Sequence, residues 1–207
     1  MRGPNKHQQR TEQTRRKLLE AGLRIFVRDG FEAARIEDIA AAAGHTRGAF
    51  YANFETKEDL FLVLLEQQSV KRVAELHTLL ERCEGPEEAL KTLRTRYVKR
   101  ADDLRWVILS LEFKLFALRH KKLHVKLAAA HRRIRRSMNF DAITKFLPPR
   151  LHVGETAEAC KVILEVSLSG LVLEHAYDPK RISRKQVADQ LGQIFDMVLD
   201  EMTANRL

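Results

Sequence analysis

Ile36-Glu37-Asp38-Ile39-Ala40-Ala41-Ala42-Ala43-Gly44-His45-Thr46-Arg47-Gly48-Ala49-Phe50-Tyr51-Ala52-Asn53-Phe54-Glu55-Thr56-Lys57-Glu58-Asp59-Leu60 is the stretch on which the reading of this chain turns. Ile36, Ile39, Ala40 and Ala43 recur at helical spacing and make one apolar face on a helix of about two turns. Gly44 ends that helix, since a glycine just past the last periodic residue takes the left-handed backbone conformation without a side-chain clash. Thr46 is placed to cap a second helix, its hydroxyl accepting a backbone N–H near Gly48 or Ala49, with Ala49, Phe50 and Phe54 turned back toward the first.

The outward face of the second helix carries Thr46, Arg47, Gly48, Tyr51 and Asn53, hydrogen-bonding groups with little bulk at the leading end. Such a face suits a DNA groove. Arg47 has the fork that holds guanine through two bonds, and the Tyr51 and Thr46 hydroxyls have the reach and polarity for phosphate oxygens. Gly48 costs a helix interior about 1 kcal/mol relative to alanine, which makes sense where backbone must approach a base or phosphate closely; a tolerated surface glycine is the other reading.

Working outward, a helix is expected from about Thr11 to Asp29, with Leu18, Leu19, Leu23, Ile25 and Phe26 on its core-facing stripe, followed by Gly30-Phe31-Glu32-Ala33. After the central stretch come Phe50-Tyr51-Ala52-Asn53-Phe54 and Lys57-Glu58-Asp59-Leu60-Phe61. These four linked segments resemble the DNA-binding domain of the TetR family of bacterial transcriptional regulators. The resemblance implies an all-α homodimer in which the third helix of each subunit enters the major groove and the fourth leads to a larger helical body. It places Thr46, Arg47 and Gly48 toward bases and Tyr51 and Lys57 toward phosphates; His45 and Asn53 are further candidates to contact DNA. Where the family has threonines before its second helix this chain has Ala34 and Arg35, so Arg35 is expected to supply a charged phosphate contact instead.

The expected organisation is a basic mobile arm over residues 1–10, a DNA-binding domain over 11–71 with its helix-turn-helix at about 34–53, and an effector-binding and dimerisation domain over 72–207. A length of 207 residues, 44% of them hydrophobic, suffices for a small head and a larger body. The net charge of +9 suits a protein that meets a polyanion. Strand-like alternation is absent beyond Leu60. Gly85-Pro86, Pro148-Pro149 and Asp178-Pro179 punctuate the helices, and the boundary near His120 is blurred because Lys121 stands where similar proteins often have proline.

The last two helices, roughly Glu155 to Tyr177 and Ser183 to Met202, carry more apolar residues than one internal face requires. By resemblance they make a four-helix dimer interface, for which Val166, Gly170, Leu171, Leu191, Phe195 and Val198 are the candidates; an ordinary internal core accounts for any one of them equally well. Trp106, Glu112, Phe113, Phe116, Met138, Phe140, Glu174 and His175 are the candidates to line a pocket for a small-molecule effector, whose identity the resemblance does not carry over.

From Phe113 through Phe140 there are nine Lys or Arg and no carboxylate. A solvated helix face is the default reading; an anionic effector or added phosphate contacts are the alternatives. His120 and His124 are four residues apart, but neighbouring lysines and the lack of a third ligand leave no metal assigned, and no cofactor is expected. Cys83 and Cys160 lack CxxC spacing and suit buried thiols in a reduced compartment. No opening apolar run marks a secretory signal, and Val162 to Leu173 is too short for a membrane span, so a cytoplasmic location and no membrane partner are expected. The motifs of phosphate-binding, zinc and serine-nucleophile enzymes are absent, so no enzyme is expected. The expected function is a sequence-specific transcriptional regulator, a repressor released from a pseudo-palindromic operator by its effector. The alternative is nonspecific polyanion binding, as a nucleic-acid coat or at a membrane surface.

Overall fold

The computed structural model describes residues 6–137 and 155–204, with side chains described over 8–134 and 158–200. Every regular element among them is helical: α1 Lys6–Asp29, α2 Ile36–Ala42, α3 Arg47–Tyr51, α4 Lys57–Leu80, α5 Pro86–Lys99, a short 3-10 turn Arg100–Asp102, α6 Leu104–Arg119, α7 Lys121–Ser137, α8 Glu155–Tyr177 and α9 Arg184–Ala204. Helix α1 starts earlier than expected, so residues 6–10 are helical and not part of an arm. Past Pro4 this segment contains neither glycine nor proline to stop a helix. The expected pocket residues Met138 and Phe140 lie outside the described residues.

The chain forms two compact units. The first holds residues 1–70 and 109–137, the second 71–108 and 138–207. The return of 109–137 to the first unit departs from the division expected at residue 71. The physical reason is a shared aromatic core. Phe31 packs edge-on against Phe113 and Phe116 at ring-centroid distances of 5.1 and 5.0 Å, and Phe61 lies 4.5 Å from Phe113. Phe26 joins them, 5.2 Å from Phe31. A head of four short segments cannot cover so many rings by itself, and α6 supplies the missing wall.

Between α2 and α3 the chain turns as expected. Gly44 has φ +73°. Its N–H donates to Ala41 O at 2.9 Å and the His45 N–H donates to Ala40 O at 2.9 Å, the paired bonds that satisfy the last carbonyls of a helix closed by a left-handed residue. Between α6 and α7 the break is one residue wide. The His120 ring stacks on Phe116 at 4.0 Å and its Nδ1 lies 2.8 Å from Phe116 O, so an imidazole marks the bend that a proline would otherwise make.

In the second unit α5, α8 and α9 pack around Tyr97, Leu168, Val172, Val187, Leu191 and Phe195, all buried. The Tyr97 hydroxyl donates to Leu164 O at 2.8 Å, and burial pushes its pKa up to about 12. Asp196 accepts from Arg94 Nε at 2.8 Å, tying α9 to α5. Leu191 and Phe195 are therefore internal, while Val198 is half-buried against Cys160. Of the expected interface residues, Leu191 and Phe195 are spent within the subunit, because α9 turns its most apolar face to α5 and α8. Cys83 is half-buried, not enclosed.

Alanine at Gly44 would meet no atom within 4 Å, so the Gly44→Ala substitution tests backbone strain alone. It is expected to cost about 1–2 kcal/mol, read as a lower denaturation midpoint with an unchanged circular-dichroism spectrum.

Candidate nucleic-acid interface

Helix α3 is five residues long and depends on its ends. Thr46 holds an extended conformation, and its hydroxyl accepts the Ala49 N–H at 3.3 Å. This is the capping contact expected from the sequence, and it satisfies one donor that a short helix leaves open. At the other end Asn53 Nδ2 donates to Ala49 O at 2.8 Å. Asn53 thus closes the helix from behind and does not present its amide outward as expected. The Asn53 carbonyl accepts from Arg15 Nη1 at 2.9 Å, and the Arg15 guanidinium lies 4.4 Å from the Phe54 ring centroid, so α1 pins the far end of α3. Phe50, wholly buried, anchors the inner face.

Arg47 and Tyr51 stand together on the outer face. Arg47 Nη2 donates to the Tyr51 hydroxyl at 3.2 Å, with the guanidinium 5.4 Å from the Tyr51 ring centroid. Arg47 Nη1 lies 2.8 Å from Glu37 Oε1. The guanidinium is held from two sides and still exposed. Hydrogen bonding to Tyr51, with the nearby Glu37 carboxylate, moves its pKa above the ordinary arginine value. Arg35 is exposed too, its Nε 4.0 Å from Glu37 Oε2, so one carboxylate sits between two arginines. Glu37 was not foreseen as part of this surface. Its first-turn position on α2 is favoured by the helix dipole and has a sufficient local reason, while its pairing with Arg47 spans a turn that only the folded chain closes.

Gly48 has no internal reason to be glycine. Its φ is not positive, and an added Cβ would find only Thr46 Oγ1, at an ordinary 3.7 Å. His45 is half-buried, with Nε2 enclosed and without a hydrogen-bond partner, so its ring is turned inward where a DNA contact was expected.

Lys57 departs furthest from expectation. Its ammonium donates to Phe31 O at 3.0 Å, Glu32 O at 2.6 Å and Ala34 O at 3.1 Å, which uses all three hydrogens. It also lies 5.2 Å from the Phe31 ring centroid. Burial lowers its pKa, partly offset by Glu58 and Glu32. The expected phosphate ligand is committed to the protein's own backbone, because the turn at residues 31–34 has carbonyls that no helix satisfies.

Comparison with known proteins agrees with this geometry. Residues 18–64 match the family model described as bacterial regulatory proteins, tetR family. The chain is 26% identical over 206 residues to the HTH-type transcriptional regulator AcrR of Shigella flexneri, covering 94% of this chain and 93% of AcrR. Residues 18–64 are thus a DNA-binding domain of the TetR type. Over 68 residues it is 37% identical to the uncharacterized HTH-type transcriptional regulator YwcC of Bacillus subtilis (strain 168), a match that spans 33% of this chain and 30% of YwcC. The fold of the fatty acid degradation regulator FadR from Bacillus halodurans superposes with a TM-score of 0.63 at 16% identity, covering 96% of both chains.

Six of the eight residues expected to line an effector pocket lie among the described residues, and each is engaged within its own unit. Glu112 Oε2 accepts the Phe31 N–H at 2.9 Å, and Phe113 and Phe116 belong to the aromatic core of the first unit. Glu174 pairs with Arg181 at 2.7 Å, and His175 Nδ1 lies 2.9 Å from Ile182 O, so both serve the turn between α8 and α9. Trp106 is buried in the second unit. A cavity of about 720 Å³ lies along α1 and α4, lined by Glu12, Arg16, Leu19, Leu23, Leu64 and Gln67 among others, and none of the six described candidates borders it. Aromatic residues at helical spacing fill space before they make cavities, as Phe113 and Phe116 do here.

Two substitutions separate backbone duty from DNA contact. Lys57→Met should lower stability by about 2 kcal/mol by stripping three carbonyls of their donor, while the salt slope of DNA binding by the remaining folded protein stays unchanged. Gly48→Ala should raise the denaturation midpoint, by about 1 kcal/mol, and weaken DNA binding at least tenfold in a fluorescence-anisotropy titration.

Proposed function

We propose that this protein is a homodimeric, sequence-specific transcriptional repressor that leaves a pseudo-palindromic operator when a small molecule binds its body. The observation that carries the reading is the capped α3 with its exposed Arg47, held between Glu37 and Tyr51. A guanidinium held in place loses less freedom on meeting a guanine edge than a free one does, and such a bidentate contact is worth about 1–3 kcal/mol of discrimination. Tyr51, Thr46 and Arg35 supply backbone contacts in this scheme, and the close approach of backbone accounts for Gly48.

Dimerisation is assigned to α8. Val162, Ile163, Val166, Leu173 and Tyr177 are exposed apolar residues, and with exposed Gly170 they repeat along one side of that helix, opposite buried Leu168 and Val172. Met197 on α9 is exposed as well. Such a row is costly in water and suits a twin. Two subunits joined in this way present α3 twice, about 34–36 Å apart along one face of the duplex.

Release requires the body to move the DNA-reading helices. Helices α4 and α6 each contribute residues to both compact units. Within the first unit Glu112 of α6 and Lys57 of α4 grip the turn leading into α2, and Arg119 of α6 pairs with Glu32 of that turn at 3.1 Å. A shift of either helix is thereby handed to α2 and α3.

In vitro selection from random duplex DNA at near-physiological salt is the decisive test. Enrichment of a palindrome is expected, and Arg47→Ala should relax selection at one base of each half-site. Binding without enrichment that disappears as salt rises would replace this reading with nonspecific polyanion binding. Val166→Glu should yield a folded monomer in analytical ultracentrifugation, with operator affinity reduced more than a hundredfold.

A further inference from the structure

The cations of α7 form a row that the first unit does not explain. Lys121, Lys122, Val125, Lys126, Ala129, Arg132 and Arg133 are exposed and share one side of the helix, while Leu127 and Ile134 are buried on the other. This arrangement works against the helix itself. Lys121 and Lys122 stand in the first turn, where the macrodipole disfavours positive charge, and that turn contains no acid. Lys122 and Lys126 are like charges at i,i+4 spacing, which is again unfavourable. Among the described residues no ion pair involves Lys121, Lys122, Arg132 or Arg133, and the one involving Lys126 is long, at 3.9 Å from Asp59. Residues that a helix bears at a cost to itself call for a partner, and the charge specifies an anion.

The row also has a place. It lies in the same compact unit as α3. At its start Arg119 pairs with Glu32, in the turn before α2, and Lys126 reaches Asp59, in the first turn of α4. Asp59 is held by Thr56 at 2.8 Å, and Thr56 follows α3 by five residues. The end of α6 and the first half of α7 therefore lie beside the segments that bracket the helix-turn-helix on both sides. From Lys121 to Arg133 it runs about 18 Å at the rise of an α-helix. Small-molecule sites are concave; an exposed face of this length, convex as any helix surface is, fits an extended polyanion.

We infer that α7 is a second phosphate-binding surface, which engages duplex DNA flanking the site read by α3. The inference rests on the DNA-binding reading above. Lys121, Lys122, Arg132 and Arg133 neutralise backbone phosphates outside the helix-turn-helix footprint, add affinity without base preference and steepen the salt dependence.

The test compares wild type with the quadruple variant Lys121→Gln, Lys122→Gln, Arg132→Gln, Arg133→Gln, all at exposed positions, after matching thermal midpoints confirm folding. Each protein is titrated by fluorescence anisotropy against the selected palindrome alone, the palindrome lengthened by about ten base pairs, or one helical turn, on each side, and a scrambled duplex of the longer length. Wild type is expected to bind the lengthened operator at least tenfold more tightly than the short one at low salt, with a salt slope steeper by up to about 7, from four cations on each of two subunits. The variant should bind both lengths with the affinity that wild type has for the short one. Equal affinity of wild type for the two lengths overturns the inference while leaving the regulator reading intact. Failure to distinguish either operator from the scrambled duplex overturns that reading instead. A length effect that persists in the variant also rejects α7, as does coenzyme A binding to wild type alone with no length effect, which assigns the row to a small anion.

Discussion

The turn at residues 30–34 has no helix to satisfy its backbone, and the arrangement of the first unit follows from how that problem is solved. Lys57 gives three hydrogens to the carbonyls of Phe31, Glu32 and Ala34, and Glu112 takes the Phe31 N–H. Two charged groups from helices remote in sequence thus meet on one short piece of main chain. Gly30 makes this possible: at φ +80° it starts the turn, and an added Cβ would press to 3.4 Å from the Glu112 carboxylate. Removing either group would leave partly buried polar atoms unpaired, a heavier loss than the net value of the bonds.

This clasp bears on function because it joins the helices that would move to the helices that would read DNA. The aromatic contacts of Phe31 with Phe61, Phe113 and Phe116 hold the same elements from the apolar side. Packed rings and charge-assisted bonds tolerate small displacements poorly, so a change in α6 or α4 is transmitted and not absorbed. The outer surface is built on other terms. Arg35, Arg47 and Tyr51 are exposed and linked through half-buried Glu37 and to one another, an arrangement that orients groups without enclosing them.

Charge is divided in a comparable way. Lys57 is used internally, Arg94 and Arg184 join elements of the second unit through Asp196 and Asp102, and the row on α7 faces solvent. Net charge therefore predicts little until each cation has been assigned. The lysine that resembles a phosphate ligand, Lys57, is a backbone ligand, while the helix that resembles a plain solvated face, α7, carries its charges at a cost.

What the sequence determined by itself was local. The helical period around Ile36 to Ala43, the left-handed Gly44, the Thr46 cap and the inward Phe50 each depend on neighbours within a few residues, and the proline breaks bound α5 and α8 for the same reason. Tertiary structure decided whatever needed a distant partner. Phe113, Phe116 and Glu112 look like pocket residues until Phe31 is found beside them, and Lys57 looks free until the carbonyls of residues 31–34 come within reach. Leu191, Phe195 and Val166 share one apolar character in sequence, yet the first two are buried and the third is exposed. Periodicity says that a face is apolar; only the folded chain says which surface covers it.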